Sequence, residues 1–582
     1  MASLVADDWK RVYFNQKDLI EDLKSKKCWG SFIVASNLSF DFFGTFFNHD
    51  ELMQFTTLFR GSDLMFATTY IENGQFIKKP KKQRKGKITF IDTFNFVKMS
   101  VEKLGKIINI EKLKSPDFIG KKPKNKKEWD EMIAYNIRDS EVSKGYIDFL
   151  FKALQQLGGN PQKTIASSAM SVFKCKYLKD RYFRLPSAQL LDIFQSYYGG
   201  RTEAFSRGYI KNYNYYDINS LYPYVMTKKY PDPNSIRFTQ INTLENIQNF
   251  DGVSNVEIST PQIAYPVLPL RDRDKVIFGY GTLIGTWTHL ELRKAIEDGA
   301  TIKKVNWTYW FAESCYPFRE YVTDLYQKRL DYKHEGNPME QVVKILLNSL
   351  YGKFGQKFID KDNWIPFNHT IEELSKLEFF ERIGSFIRVK KAWSRPPAFC
   401  IPIWATYVTA YARLELLKYI RKYNPVYCDT DSIITKDTIP TSEKLGAMKL
   451  EMKVKKGIIV RPKFYGLVSS EDEEYVKIKG LGKRLSFKQY SDFLNTPSFT
   501  YDKFMKFKES LRRGFIPNEI QSITKNMSLE DDKRIWPSYF NRYKLQHSKP
   551  QRLLEGIREK DYDLVKAQIK KREEILKRPK IL

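Results

Sequence analysis

The stretch that most constrains this chain is Val426-Tyr427-Cys428-Asp429-Thr430-Asp431-Ser432-Ile433-Ile434. Apolar β-formers flank two carboxylates one residue apart, a pattern of two short strands joined by a tight acidic turn. Side chains two apart on an extended chain point the same way, so Asp429 and Asp431 project together. Like charges that close repel, and such an arrangement is usually held by a cation. Mg2+ suits them, being a hard ion that takes oxygen ligands and leaves positions for substrate phosphates. Taken alone, the stretch is more simply read as a solvated turn.

A further carboxylate stands far upstream. Tyr215-Tyr216-Asp217-Ile218-Asn219-Ser220-Leu221-Tyr222-Pro223 begins as an aromatic strand and turns at Asn219-Ser220, which puts Asp217 at a strand end. Asp217 with Asp429 would bridge two ions about 3.5–4 Å apart, the arrangement that stabilises attacking and leaving oxygens in phosphoryl displacement. Between the two acidic segments, Lys344, Asn348 and Tyr351 fall on one face of a helix while Val343, Leu346, Leu347 and Leu350 fall on another, fit for burial. With Arg329 one segment earlier, these residues would clamp a triphosphate and its base. A solvated polar helix face is the plain alternative.

Together these segments resemble the family-B DNA polymerases, and specifically their protein-primed branch from linear phage genomes, adenoviruses and linear plasmids. Asp217-x-x-Ser220-Leu221-Tyr222-Pro223, Lys344-x3-Asn348-Ser349-x-Tyr351-Gly352 and Tyr427-x-Asp429-Thr430-Asp431-Ser432 match the three polymerase motifs in the family's order. The resemblance implies an α/β multidomain chain: an RNase-H-like exonuclease-type domain followed by a right-hand polymerase of palm, fingers and thumb. It implies catalytic Asp217, Asp429 and Asp431, with Asp217 and Asp429 holding two Mg2+ ions (Mn2+ as an alternative). Tyr222, Arg329, Lys344, Asn348 and Tyr351 would bind the nucleotide, Tyr222 by stacking under the sugar.

Length and charge agree. A chain of 582 residues has room for several cores, and a formal net charge of +30 predicts a polyanionic partner. Lys-rich genome composition would also yield such a surplus, so charge supports nucleic acid without naming it. The five cysteines and five histidines show no ligand spacing, which reads as reduced thiols of an intracellular, cytoplasmic protein. No apolar run reaches membrane-spanning length and no signal-peptide pattern opens the chain.

Residues 1–150 read as the exonuclease-like domain. Asn37-x3-Asp41 and Tyr135-x3-Asp139 resemble the family's second and third exonuclease motifs. The first, an Asp-x-Glu on an opening strand, is not found ahead of Asn37. Either proofreading is impaired or the reading frame starts further upstream; for the chain as numbered we expect impaired proofreading. The runs Lys78–Lys85 and Lys121–Lys127 read as surface loops.

Residues 151–466 read as palm and fingers. Tyr197-Tyr198-Gly199-Gly200 resembles the family's junction motif, which makes Tyr197, Gly199 and Gly200 candidate DNA-binding residues. Intervals near 228–315 and 356–397 resemble the two terminal-protein-region insertions, with Trp364–Pro366 and Ser385–Val389 as candidate strands of the second. Lys463-Phe464-Tyr465 matches the Lys-x-Tyr motif that steadies a primer end, so Lys463 and Tyr465, with Lys479 beyond, are assigned to DNA. Residues 467–582 read as a mostly helical, basic thumb, ending in the helix-like Val565–Arg572.

The expected partners are template and primer DNA, dNTPs and a terminal protein, with no membrane. One alternative is a polymerase of the same fold that starts from nucleic-acid primers or from none. Another, of a different class, is a non-catalytic DNA-binding relative.

Overall fold

The computed structural model of the chain describes residues 1–46, 51–52, 54–60, 63–78, 80, 86–119, 121–182, 185–272, 275–356, 361–366, 378–383, 386–391, 397–481, 484–504 and 520–553. Val565–Arg572 and most of Lys78–Lys85 lie outside them.

Near the N-terminus, strand Phe32–Ala35 pairs in parallel with Lys87–Asp92, which continues antiparallel into Asp63–Glu72 and then Thr56–Arg60. Phe42, Phe46, Phe55 and Phe90 fill the space beneath this sheet, with ring centroids 4.7–5.9 Å apart. The 31-residue helix Lys126–Gln156, capped by the Asn125 side chain, packs against it. Its inner residues Val142, Tyr146, Leu150 and Leu154 belong to the same hydrophobic cluster as Leu346, Trp404 and Met448.

The centre of the molecule is an antiparallel sheet. Its strand order is Glu474–Ile478, Phe464–Ser469, Met448–Arg461, Ser206–Ile218, Ser432–Thr435, Tyr427–Asp429 and Thr202–Ala204. Ser206–Ile218 lies between Met448–Arg461 and Ser432–Thr435, and Thr202–Ala204 beside Tyr427–Asp429, strands more than 200 residues on in sequence, so only tertiary folding brings these ends together. Helix Pro402–Tyr423 supports one face. Proline at its start has a φ that suits a helix, and Asn424, in the left-handed region at φ 38°, ends it. Most of this helix is buried, including Trp404 and Tyr407, as expected of a helix apolar on nearly every side. Truncating Trp404 to alanine would cost about 3–5 kcal/mol.

Helices Arg319–His334 and Met339–Ser349 form a short hairpin over this sheet. The interval 228–315 contains most of a second, five-stranded sheet, from Ile236–Thr239 through Thr301–Phe311 and Asp251–Thr260 to Tyr280–Thr288, with Arg552–Leu553 added at its edge. The interval 356–397 contains a three-stranded sheet in which Lys361–Pro366 and Phe386–Lys391 are paired, at the positions read as strands from sequence.

The C-terminal region departs from the expected helical pattern. Between residues 467 and 553 the described residues include one helix, Phe487–Phe493, while Ser498–Phe504 and Ile520–Asn526 form a β-hairpin. Alternating aromatic and polar residues in Phe499-Thr500-Tyr501-Asp502 suit a half-buried strand. Basic residues had obscured that two-residue period. The segment from Glu530 to Leu553 runs back beneath the central sheet, where Arg207 donates to Glu530, Ser538 and Gln546.

Together these parts are an RNase-H-like exonuclease-type unit followed by a right-hand palm, fingers and thumb.

Candidate active site

Ser432 lies directly across from Asp217, and Asp429 across from Ser432. The backbone N–H of Ile218 donates to the Asp431 carbonyl at 2.8 Å. The three carboxylates therefore share one end of three adjacent strands. The turn between Asp429 and Asp431 places Thr430 at φ 65°, an outlier for a β-branched residue, of order 1–3 kcal/mol. The Thr430 N–H donates to the Arg201 carbonyl at 2.7 Å and its hydroxyl to Asp429 at 3.1 Å, which fixes the strained turn.

An open cavity of about 560 Å3 lies over this point. Four carboxylates line it, those of Asp217, Asp429, Asp431 and Glu451, against two ammonium groups, Lys463 and Lys477. The carboxylates are not equivalent. Burial, then the charges of Asp431 and Glu451, push the Asp217 carboxyl up to about 7. Burial and Asp429 push Asp431 up to about 6. Asp429 is opposite: burial raises it, yet Lys463, Lys477 and Thr202 hold it below the ordinary carboxylate value. Lys463 Nζ lies 2.7 and 2.9 Å from its two oxygens, Lys477 Nζ 3.3 Å from one, and the Thr202 hydroxyl 3.0 Å from the other.

The pair expected to hold metal, Asp217 and Asp429, thus stands in two different electrostatic settings. Asp429 already has its cations. Asp217 and Asp431 repel one another, and Oδ1 of Asp217 is buried with no hydrogen-bond partner among the described residues. Among those residues no three Asp, Glu, His or Cys side chains form a ready-made metal cage. A pair of under-neutralised carboxylates beside open space instead suits Mg2+, which binds through one or two carboxylates plus substrate phosphates.

On one side of the acidic turn the rings of Tyr222 and Tyr351 stack, 4.7 Å apart and 2° from parallel. Tyr222 is carried by a short helix entered through Ser220 at φ 49°. Lys344 and Asn348 are exposed on one face of their helix, while Val343, Leu346, Leu347 and Leu350 are buried as expected. Arg329 donates to Glu340 at 2.8 Å and to the Ser220 hydroxyl at 3.1 Å. The Gly199–Gly200 loop lies against the same side: a Cβ at Gly200 would sit 3.0 Å from Thr430 and 3.2 Å from the Tyr222 hydroxyl. Arg413 donates to the carbonyls of Tyr198 and Gly199, both at 2.9 Å, and pairs with buried Glu291. The Tyr197 ring packs where a Cβ at Gly355 would clash.

The residues assigned to primer DNA are placed differently from one another. Tyr465 is fully buried, its ring edge-on to Tyr427 at 5.1 Å, and so supports the site from within. Lys463 sits in a turn at φ 58°, which breaks the two-residue alternation that would have placed both side chains on one face. Lys479 is exposed beyond the cavity, its N–H donating to the Lys463 carbonyl.

Sequence reading missed several lining residues. Glu451 is the extra residue where the register between Met448–Arg461 and Ser206–Ile218 shifts; a bulge re-aims a side chain in a way alternation does not announce. Tyr475 had no motif to mark it, nor had Thr202, which bonds Asp429 from outside the cavity; Lys477 was legible only as part of the basic strand end Lys477-Ile478-Lys479-Gly480.

In the N-terminal unit, Asp41 and Asp139 line a cavity of about 290 Å3 with Asn136, Ser140 and Ser143. Asn37 adopts φ 68° and starts the helix that carries Asp41. Tyr135 and Asp139 meet one cation: Lys112 Nζ lies 2.6 Å from the Tyr135 hydroxyl and 3.3 Å from Asp139. Asp92 accepts from the backbone N–H groups of Asn37, Leu38 and Phe94, a capping role that occupies its oxygens. Asp7 pairs with Lys144.

Comparison with known proteins agrees with this geometry. Residues 121–390 match the family of DNA polymerase type B, organellar and viral. The protein named Probable DNA polymerase of Neurospora intermedia is 26% identical over 507 residues, covering 73% of this chain and 52% of the relative. The DNA-directed DNA polymerase of Enterobacteria phage PRD1 is 29% identical over 302 residues, covering 49% of this chain and 51% of the relative. The chain thus spans about half the length of these relatives. Among solved structures, Phi29 DNA polymerase complexed with primer-template DNA and incoming nucleotide superposes with a TM-score of 0.68 at 17% identity. That match covers 90% of this chain and 94% of that one. Among the described residues no helix is long and apolar enough to cross a membrane.

Proposed function

We propose that this chain is a template-directed DNA polymerase of family B, of the organellar and viral type whose family model matches residues 121–390. The observation that carries the reading is the meeting of Asp217, Asp429 and Asp431, from segments far apart in sequence, in one cavity beside stacked Tyr222 and Tyr351. The relatives named as DNA polymerases and the neighbour solved with primer-template DNA and nucleotide support the same substrates here.

In this reading Asp217 and Asp431 hold two Mg2+ ions, with Glu451 beside them. When bound, the ions would supply positive charge at the attacking and leaving oxygens of the displacement. The chain's own residues do the positioning. Tyr222 and Tyr351 form a flat wall for the sugar and base. Lys344, with Arg329 after it leaves Glu340, neutralises the triphosphate. Asp429 orients Lys463 and Lys477. The primer 3′-hydroxyl attacks the α-phosphate, the bond to the leaving oxygen breaks, and pyrophosphate departs. Positioning and charge stabilisation account for most of the catalysis in such a transfer.

We assign the domain roles in the same way: residues 1–150 as the exonuclease-like unit, 151–466 as palm and fingers, and 467–582 as thumb except for Glu474–Ile478, the edge strand of the palm sheet. We further infer initiation on a hydroxyl of a separate terminal protein; the sheets within 228–315 and 356–397, the two intervals that resemble the insertions of the protein-primed branch, support this reading. For the chain as numbered we infer slow 3′ trimming, because the N-terminal cavity offers Asp41 and Asp139 while Asp92 and Asp7 are engaged elsewhere.

The test is primer extension. The chain should add dNTPs to a primed template with Mg2+, and Asp431→Asn should abolish addition while DNA binding persists. Near-normal addition by that variant would sink the assignment. Transfer of a labelled nucleotide to a candidate terminal protein separates protein priming from nucleic-acid priming.

A further inference from the structure

We propose that Tyr475 and Lys477 form the contact for the last internucleotide linkage and terminal nucleotide of the primer strand. The inference rests on the polymerase reading and extends it to two residues outside every recognised motif.

Glu474–Ile478 is the edge strand of the central sheet, on the Lys463 side of the acidic turn. Tyr475 and Lys477 are two apart on it, so they face the same way, and both line the acidic cavity. The acidic turn therefore has two flanks of different character. Outside the cavity, on the Thr430 and Gly200 side, Tyr222 with Tyr351 stacked on it offers a flat surface, and the exposed Lys344 helix a cation, for a nucleotide. Within the cavity, Tyr475, 41% exposed, offers an aromatic ring, and Lys477 an ammonium group. A primer end must lie across the carboxylates from the nucleotide, which leaves it this flank.

The charges also single out Lys477. Asp429 already accepts from Lys463 at 2.7 and 2.9 Å, from Thr202 at 3.0 Å and from Thr430 at 3.1 Å. The Lys477 contact is the longest of the set, 3.3 Å to one oxygen. Exchanging it for a phosphate oxygen leaves Asp429 satisfied, whereas withdrawing Lys463 does not. Tyr475, its ring 6.1 Å from that of buried Tyr465 and tilted 35° to it, is held at one side and still 41% exposed, which leaves ring surface for a base to stack on.

The experiment is equilibrium binding of a primer–template duplex, with Ca2+ in place of Mg2+ so that no chemistry occurs. One duplex is natural; the second has an uncharged methylphosphonate at the last primer linkage. The wild-type chain should bind the neutral duplex about tenfold more weakly. Lys477→Met should be weaker on the natural duplex and indifferent to the neutral linkage. Its log-affinity against log-salt slope should be shallower by about 0.9, one phosphate contact. Lys477→Arg should restore sensitivity to the linkage. Tyr475→Ala should weaken binding about tenfold, within the range for loss of a stacking aromatic, and Tyr475→Phe should not.

Full sensitivity of Lys477→Met to the neutral linkage, with an unchanged salt slope, would overturn the proposal. If that variant does not fold, the Tyr475 pair decides: equal binding by Tyr475→Ala and wild type overturns it. Failure of the polymerase reading looks different, because the wild-type chain would then not extend the natural primer when Mg2+ is restored.

Discussion

Replacing Asp217 by asparagine should make the metal-free protein more stable while it stops incorporation. The carboxyl is raised from 3.8 to about 7 by burial, Asp431 and Glu451. At about 1.36 kcal/mol per pKa unit, holding it ionised in the folded chain costs about 4 kcal/mol relative to the unfolded one. The direction follows from proton binding. A carboxyl with a raised folded pKa binds more protons when folded, so its stabilising contribution is present below about pH 4 and is lost as pH rises through 7. At pH 8 in EDTA the wild-type chain bears the whole penalty. The neutral amide escapes the repulsion but remains partly buried, so we expect a gain of about 2–4 kcal/mol at pH 8, shrinking towards zero by pH 5. Adding Mg2+ should stabilise the wild type and not the variant, closing the gap. Urea unfolding at both pH values, with and without Mg2+, reads the stability; single-turnover addition to a primed template reads the chemistry. A variant no more stable than wild type at pH 8 in EDTA, or one that still incorporates, refutes the reasoning.

The stacked pair Tyr222 and Tyr351 makes Tyr222→Val a test of sugar selection: ribonucleotide use should rise about tenfold or more relative to deoxyribonucleotide, and unchanged discrimination in single-turnover assays places the gate elsewhere. At the junction loop, Gly200→Ala puts a Cβ 3.0 Å from Thr430 and 3.2 Å from the Tyr222 hydroxyl, while nothing lies within 4 Å at Gly199. Gly200→Ala should therefore cost about 1–3 kcal/mol of packing and lower kcat/KM, with Gly199→Ala nearly silent; equal effects would mean the loop does not touch the site as described. In the N-terminal unit, the chain as numbered should extend a paired primer and barely trim a mispaired one, and Asp139→Ala should change little. Brisk trimming that Asp139→Ala stops would reveal a further carboxylate in that site.

Much of the candidate site's local geometry was legible in the sequence because its residues are packed into short segments. The Asp429–Asp431 turn, the Asp217 strand end and the Lys344 helix each carry a local period that fixes structure without help from the rest of the chain. The buried face of Val343, Leu346, Leu347 and Leu350 follows from helical spacing alone. What sequence could not settle is which carboxylate meets which cation. Asp429 and Asp431 are equivalent on paper. They differ because Thr202, Lys463 and Lys477 arrive beside Asp429 on strands from opposite ends of the sheet, while Ile218 carries Asp217 towards Asp431. Backbone irregularities decided the rest. A bulge turns Glu451 towards the cavity, and Lys463 at φ 58° separates itself from Tyr465. Local periodicity therefore determined the elements and the residues that end them. Long-range strand pairing, which depends on the whole sheet forming, determined their charges and their neighbours.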